Sequence, residues 1–424
     1  MNKRWPAAII VALGTRYAMD SLRHRRERGE GYSLRGGEID VGSEAFLAAT
    51  EAITSAPIAV GNSIELFING DEIFPAMLET IANARRSLNL VTYVYWPSDI
   101  GRTVAAALCE CARAGVAVNL LLDAIGCSSI ESDVVRDMED AGVTFAYFRP
   151  LKPYAVRRLN NRTHRKLLVA DGEVGMTGGV GIADQWTGDA QDPDHWRDTH
   201  VRVRGPVVRG LQGAFAENWL EATGNVLVGS EYLPDLAPIP DGVAMQVVRS
   251  SASVGDTNVE ALFYLAIACA RTTLNMTTAY FAPRPAFIEA LSAAARRGVR
   301  VRLLVPGPNI DKNFVRQAGR AVYEQLLDAG ARIFEYQPTM LHAKTLTIDG
   351  AWSTVGSVNF DNRSFQLQDE CTLCVYSPPF AARLDEHFER DIDRSIAIDP
   401  ERWNDRPLRA RVAEALTKLT RREL

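Results

Sequence analysis

Two stretches of the chain place a histidine, a lysine and an aspartate at the same spacing. They are His164-Arg-Lys166-Leu-Leu-Val-Ala-Asp171 and His342-Ala-Lys344-Thr-Leu-Thr-Ile-Asp349, each an H-x-K-x4-D pattern. On an extended strand a histidine and a lysine two residues apart share one face, about 6.5–7 Å from each other. A lysine ammonium can neutralise a non-bridging phosphate oxygen, and it counts for more as charge gathers there in the transition state. One histidine, as neutral imidazole, can attack phosphorus; the other, as imidazolium, can protonate the leaving oxygen. Two histidines can divide those roles when their surroundings push their pKa values apart. The pattern therefore suits a phosphodiester and requires neither metal nor cofactor. No group of carboxylates and histidines has metal-ligand spacing. A lone H-x-K in a strand is ordinarily a surface pair; two complete patterns at equivalent places in one chain are not.

The flanks add candidates. Gly178-Gly179 follows the first pattern, and Gly356-Ser357 and Asn359 follow the second, so Gly179, Ser357 and Asn359 are candidate phosphate donors. Asp171-Gly172 and Asp349-Gly350 read as turns into a further strand. Asp171 and Asp349 are counted with the catalytic set by their place in the motif, although turn-forming alone would explain them. A catalytic histidine needs a partner on its second ring nitrogen. Asp198 in Trp196-Arg-Asp-Thr and Glu370 in Gln368-Asp-Glu-Cys are the matched carboxylates. Arg162 and Arg165 read as a basic rim.

The elements that position these residues repeat. Ala84-Arg-Arg-Ser-Leu-Asn-Leu90 matches Ala270-Arg-Thr-Thr-Leu-Asn-Met276, Ala114-Gly-Val-Ala-Val118 matches Arg297-Gly-Val-Arg-Val301, and Asp140-Ala-Gly-Val143 matches Asp328-Ala-Gly-Ala331. The unit exceeds 100 residues, so it is a duplicated domain and not a solenoid. In each copy an apolar helix (Ile73 to Ala84; Val259 to Ala270) leads to a strand (Leu88 to Tyr95; Leu274 to Phe281). A helix ending at glycine follows, then a second strand (Ala117 to Asp123; Val299 to Pro306). A third helix, a third strand and the motif strand complete the unit. Alternation at this spacing predicts an α/β sandwich with a mixed sheet. Ser230 to Gly242, rich in Pro and turn formers, is the expected boundary. The expected division is a polar extension over 1–45, projecting from the first domain, a first domain over 46–235, a second over 236–400 and a terminal helix over 401–424.

At 424 residues, with 47% hydrophobic and 23% charged residues, the chain suits two or three globular domains. A net charge of -5 and few basic-aromatic runs argue against a nucleic-acid partner. The six cysteines make no zinc-site pairs and read as buried thiols in a reducing compartment. Ala7 to Leu13 is too short to span a bilayer. Leu408, Val412, Ala415, Leu416 and Leu419 recur at helical spacing among Arg406, Arg409, Arg411, Lys418, Arg421 and Arg422. Such a basic amphipathic helix suits an anionic membrane surface, or packing on the second domain. Tyr93, Tyr95 and Trp96, after the first strand, could line the site mouth or fill the core.

With their flanks, the paired motifs resemble the phospholipase D superfamily, and more closely its bacterial cardiolipin synthase branch. The resemblance rests on His164 to Gly172, Thr177 to Asp184, Trp196 to His200, Glu335 to Lys344, Val355 to Phe365 and Asp369-Glu370, and covers roughly residues 60–395. It implies a duplicated α/β/α sandwich with both motifs meeting in one site at the domain interface. It also implies two-step transfer through a phosphohistidine. By family position His164 would be the nucleophile and His342 the general acid. Lys166, Lys344 and Asn359 would bind phosphate, and Asp198 and Glu370 would orient the histidines. Gly181 stands where the second copy has Asn359. Without the N-terminal membrane helices of many relatives, the chain looks like a shorter type, expected at the inner, cytoplasmic face of an anionic membrane. The leading expectation is transfer of a phosphatidyl group between phosphatidylglycerol molecules; hydrolysis by the same chemistry is the alternative, ahead of a nuclease or an inactive scaffold.

Overall fold

A computed structural model describes residues 32–150, 160–252 and 256–404. The first half contributes strands β1 (Ile58–Ile68), β2 (Ser87–Thr92), β3 (Ala117–Asp123), β4 (Thr144–Phe148), β5 (Arg162–Thr163), β6 (Leu167–Ala170), β7 (Val174–Gly178) and β8 (Thr199–Arg204). The second contributes β9 (Val243–Ser250), β10 (Thr273–Thr277), β11 (Phe281–Ala282), β12 (Arg300–Pro306), β13 (Arg332–Tyr336), β14 (Thr345–Ile348), β15 (Trp352–Gly356), β16 (Phe360–Asp361), β17 (Gln368–Tyr376) and β18 (Ser395–Ala397). Within each half β2-β3-β4 and β10-β12-β13 run parallel, while β6-β7-β8 and β14-β15-β17 run antiparallel. The α/β fold with mixed sheets is as expected.

The halves join into one sheet, ordered β18-β13-β12-β10-β14-β15-β17-β9-β1-β8-β7-β6-β2-β3-β4. Apart from β18 the order reads the same from either end in terms of repeat equivalents. Its midline is the antiparallel β1–β9 contact, with Ile58 opposite Gln246 and Ala59 opposite Met245. Every residue of β2 is buried, because the sheet is covered on both faces. Leu88 and Leu90 pack toward the helices Asn69–Asn83 and Asp99–Arg113. Val91, Leu167 and Val169 pack toward Phe215 and Trp219 of the helix Val208–Thr223. That second core runs on through Val355, Leu373, Phe380 and Leu384 of the second half. Ser230 to Gly242 is thus a connection across a shared core rather than a break between separate cores.

The N-terminal part departs from expectation. The helix Glu44–Thr54, capped by Ser43, belongs to the second half's packing, not the first's. Phe46 has no exposed surface and lies 5.9 Å from the Trp352 ring and 6.5 Å from Tyr376, ring centre to ring centre. Val41 is buried in the same core, so at least this part of the 1–45 segment does not project from the first domain. The apolar run Ala7 to Leu13 and the basic tail beyond Asn404 lie outside the described residues. All six cysteines are buried thiols.

Candidate active site

His164 and His342 do not sit within regular strands of their own half-sheets. Each lies in an extended segment just before β6 or β14, and that segment pairs with the opposite half. β5 runs parallel to β17, with Arg162 opposite Gln368 and Thr163 opposite Asp369, and the His164 N–H donates to the Asp369 carbonyl at 2.8 Å. In the mirror arrangement the His342 N–H donates to the Arg197 carbonyl at 2.7 Å, and the Arg197 N–H to Met340 at 2.9 Å. Side chains follow the same exchange. His164 Nδ1 faces the Glu370 carboxylate at 3.0 and 3.1 Å and the Ser357 carbonyl at 3.1 Å. His342 Nδ1 faces Asp198 Oδ2 at 2.7 Å. Each histidine is thereby held by the carboxylate of the other repeat. With acceptors at Nδ1, the proton sits there and the Nε2 lone pair is left for chemistry.

Lys166 Nζ donates to the His164 carbonyl at 2.9 Å, and Lys344 Nζ donates to the His342 carbonyl while lying 3.0 Å from the His342 Nδ1. All four groups are buried. Burial and the mutual repulsion of the two ammonium groups lower Lys166 to about 7; burial lowers Lys344 to about 8. Burial and the lysine charges also hold His164 well below its ordinary value and His342 at about 3, so both imidazoles are neutral at neutral pH. The two carboxylates differ. Burial raises Glu370 to about 7, against the pull of Lys166 and of the Ser357 and Ser364 hydroxyls. Burial would raise Asp198 as well, but His342 and Lys344 outweigh it and the carboxyl stays below its ordinary range.

Other residues of the motif do something different from the expectation. Asp171 is a backbone anchor: its carboxylate accepts the N–H groups of Arg85, Arg86 and Ser87 at 2.6 to 3.1 Å. Asp349 likewise accepts those of Arg271, Thr272 and Thr273 at 2.7 to 2.9 Å. Five residues on from the lysines, these carboxylates tie the β6–β7 and β14–β15 turns to the starts of β2 and β10. They act as anchors of the backbone and not as the catalytic groups that their place in the motif suggests. Both carry positive φ, 56° and 53°, followed by Gly172 and Gly350, which is the Asp-Gly turn expected. Gly179 is not placed as a phosphate donor either. A Cβ there would stand 2.1 Å from Asp198 Oδ1, so glycine is what lets the carboxylate approach. In the equivalent place Ser357 Oγ donates to Glu370. Asn359 is buried, and its Oδ1 has no hydrogen-bond partner among the described residues. At Gly181 a side chain would meet Val94 and the Trp186 ring.

Arg162 and Arg165 form no rim. Arg162 is buried against Asp123 at 2.9 Å and also donates to the Phe148 and Arg149 carbonyls; Arg165 donates to the carbonyls of Glu370, Ala214 and Ser250. They clamp the chain on either side of His164. Arg197, paired with Asp391 at 2.9 Å, does the same beside Asp198. Trp186 and Ser364 escaped the sequence reading. Trp186 Nε1 donates to Asp198 at 2.9 Å and Ser364 Oγ to Glu370 at 2.6 Å. Both stand 22 residues after their histidine, so aligning the repeats by position rather than by residue type would have paired them. Of the three aromatics, Tyr93 packs 5.3 Å from the His164 ring, Tyr95 is core with its hydroxyl on the Gly101 carbonyl, and Trp96 packs 6.0 Å from Trp186. Trp186 and Trp196 flank His342 at 5.1 and 5.5 Å. Among the described residues no group of three or more His, Cys, Asp or Glu side chains could hold a metal ion, and no helix is long and apolar enough to cross a membrane.

A mixed-sheet duplication with paired His-Lys motifs at its midline defines the phospholipase D-like class. Residues 77–194 and 265–392 match the family described as cardiolipin synthase, PLD-like domain. A cardiolipin synthase of Geobacillus sp. (strain WCH70) is 32% identical over 376 residues, spanning 88% of this chain and 75% of that one. Cardiolipin synthase 2 of Bacillus cereus is 33% identical over 378 residues, spanning 89% and 73%. The chain belongs to the cardiolipin synthase family. In fold it also resembles the phosphatidylserine synthase of Haemophilus influenzae, with a TM-score of 0.65 at 14% identity, covering 90% of this chain and 100% of that one.

Proposed function

We propose that this chain is a phosphatidyltransferase that joins two phosphatidylglycerol molecules into cardiolipin and releases glycerol. The observation that carries the reading is the crossed pair of buried His–carboxylate contacts with two lysines beside them. His164 attacks phosphorus through Nε2, the glycerol oxygen leaves, and His342 delivers its proton. A second lipid hydroxyl then gives its proton back to His342 as it opens the P–N bond, regenerating neutral His164. The assignment of roles rests on the carboxylates: an ionised Asp198 favours an imidazolium on His342, whereas Glu370, raised to about 7, does so less and leaves His164 neutral for attack. A phosphodiester anion brought between Lys166 and Lys344 raises the pKa of every cationic group around it, which lets His342 take up the proton it must donate.

The substrate is met at a membrane surface, and we place the protein peripherally at the cytoplasmic face, in keeping with its reduced, buried cysteines. The test is incubation with phosphatidylglycerol vesicles, the products being resolved by mass. Cardiolipin and glycerol should form in comparable amounts, with phosphatidic acid minor, and His164→Ala should remove all products together. Phosphatidic acid dominating at every lipid density, with no cardiolipin, would make the protein a phospholipase instead.

A further inference from the structure

Cardiolipin formation needs an acceptor that is itself an anion. The donor phosphate occupies Lys166 and Lys344, so the phosphate of the second lipid needs cations of its own. Nearly all the arginines around the site are already matched. Arg162 faces Asp123, Arg165 faces Glu217, Arg197 faces Asp391, and Arg316 and Arg320 share Glu335. Lys312 and Arg363 are different: neither makes an ion pair with a carboxylate among the described residues.

Lys312 is exposed, and its ammonium lies 4.8 Å from the centre of the Tyr280 ring. Tyr280 belongs to the small apolar cluster against which Trp196 packs, and Trp196 in turn flanks His342. The adjacent Asp311 turns its oxygens to the Tyr280 hydroxyl, accepting it at 2.8 and 2.9 Å. Arg363 is partly exposed and directly precedes Ser364, which holds Glu370. Its charge is felt by Tyr93, the ring against His164, and that of Lys312 is felt by His164 itself. Both charges also act on the buried Asp361 carboxyl.

We propose that Lys312 and Arg363 form the phosphate subsite of the acceptor lipid, seating the phosphodiester anion of a second phosphatidylglycerol so that its free glycerol hydroxyl reaches the phosphohistidine. The inference rests on the transferase reading above. In the step it serves, the acceptor O–H loses its proton to His342, a P–O bond forms, and the P–N bond to His164 breaks. A neutral acceptor such as glycerol passes through the same step without needing the subsite.

The experiment compares acceptors of one hydroxyl chemistry on one donor. Phosphatidylglycerol vesicles are incubated with isotope-labelled glycerol, whose exchange into phosphatidylglycerol reports transfer to a neutral acceptor, while cardiolipin reports transfer to an anionic one. A parallel arm offers sn-glycerol 3-phosphate, a soluble anionic acceptor. For Lys312→Ala and Arg363→Ala the ratio of cardiolipin to glycerol exchange should fall about ten-fold or more, the loss of one charge-assisted contact. The preference for glycerol phosphate over glycerol should fall with it, and Lys312→Arg should restore both. Equal loss of exchange and cardiolipin, or no change in the ratio, overturns the subsite. So does a fall in cardiolipin alone with the glycerol phosphate preference intact, since the cations then serve the membrane surface. A wild-type protein that shows neither exchange nor cardiolipin refutes the transferase reading and not the subsite in particular.

Discussion

At the residue scale the two histidines act on one phosphorus, so their losses should not add. His164→Ala and His342→Ala should each lower turnover by about 10³-fold or more, with the double variant no worse than the poorer single one. Near-normal turnover by either folded variant sinks the shared site. The pH dependence of kcat/KM follows from the shifts. Lys166 and Lys344 are protonated below about 7 and about 8, so the charge that receives the phosphate is present in acid and lost as pH rises through that window. His164 lies well below its ordinary value, so its attacking neutral form persists into mildly acidic solution. The profile should be bell-shaped, with its alkaline limb near 7–8 in kcat/KM, belonging to the coupled set rather than to one group. A profile still flat at pH 10 contradicts this. The histidines and lysines were legible from residue type and spacing alone. Their orienting carboxylates were legible as a matched pair, but not which served which.

At the scale of elements, the motif divides into an acting end and an anchoring end. Asp171 accepts three backbone N–H groups at the start of β2. Asp171→Ala strands those donors and should cost roughly 2–4 kcal/mol in denaturant unfolding, with little change in the pH profile of what remains folded. Gly179→Ala should do the reverse. A methyl group 2.1 Å from Asp198 Oδ1 must push that carboxylate off His342. Turnover should drop by about 10²-fold while stability moves less. If Gly179→Ala is as active as the parent, the close approach has no catalytic consequence. The strands and helices themselves were readable because their apolar periodicity is local: the helix expected over 259–270 is Asn258–Cys269, and the strand over 117–123 is Ala117–Asp123. The H-x-K segments were misread as ordinary motif strands because their hydrogen-bond partners, Asp369 for His164 and Arg197 for His342, lie in the other half of the chain.

At the scale of the molecule, the two halves cannot be treated as separable lobes. One sheet crosses the midline, one core spans it, and the helix Glu44–Thr54 reaches over to the second half. Phe46→Ala should therefore destabilise the whole chain by about 3–5 kcal/mol, as for a buried aromatic. Removing residues 1–57 should expose the second half's core, not trim the first. An unfolding transition unchanged by Phe46→Ala argues against that packing. What the sequence by itself determined was the chemistry and its duplication: residue types, spacing and repeat register are properties of the chain taken in order. Which carboxylate holds which histidine, why Asp171 leaves the site, and where the N-terminal helix lies were decided by tertiary structure. Each depends on contacts between residues far apart in the chain, and sequence spacing carries no information about which distant strands become neighbours.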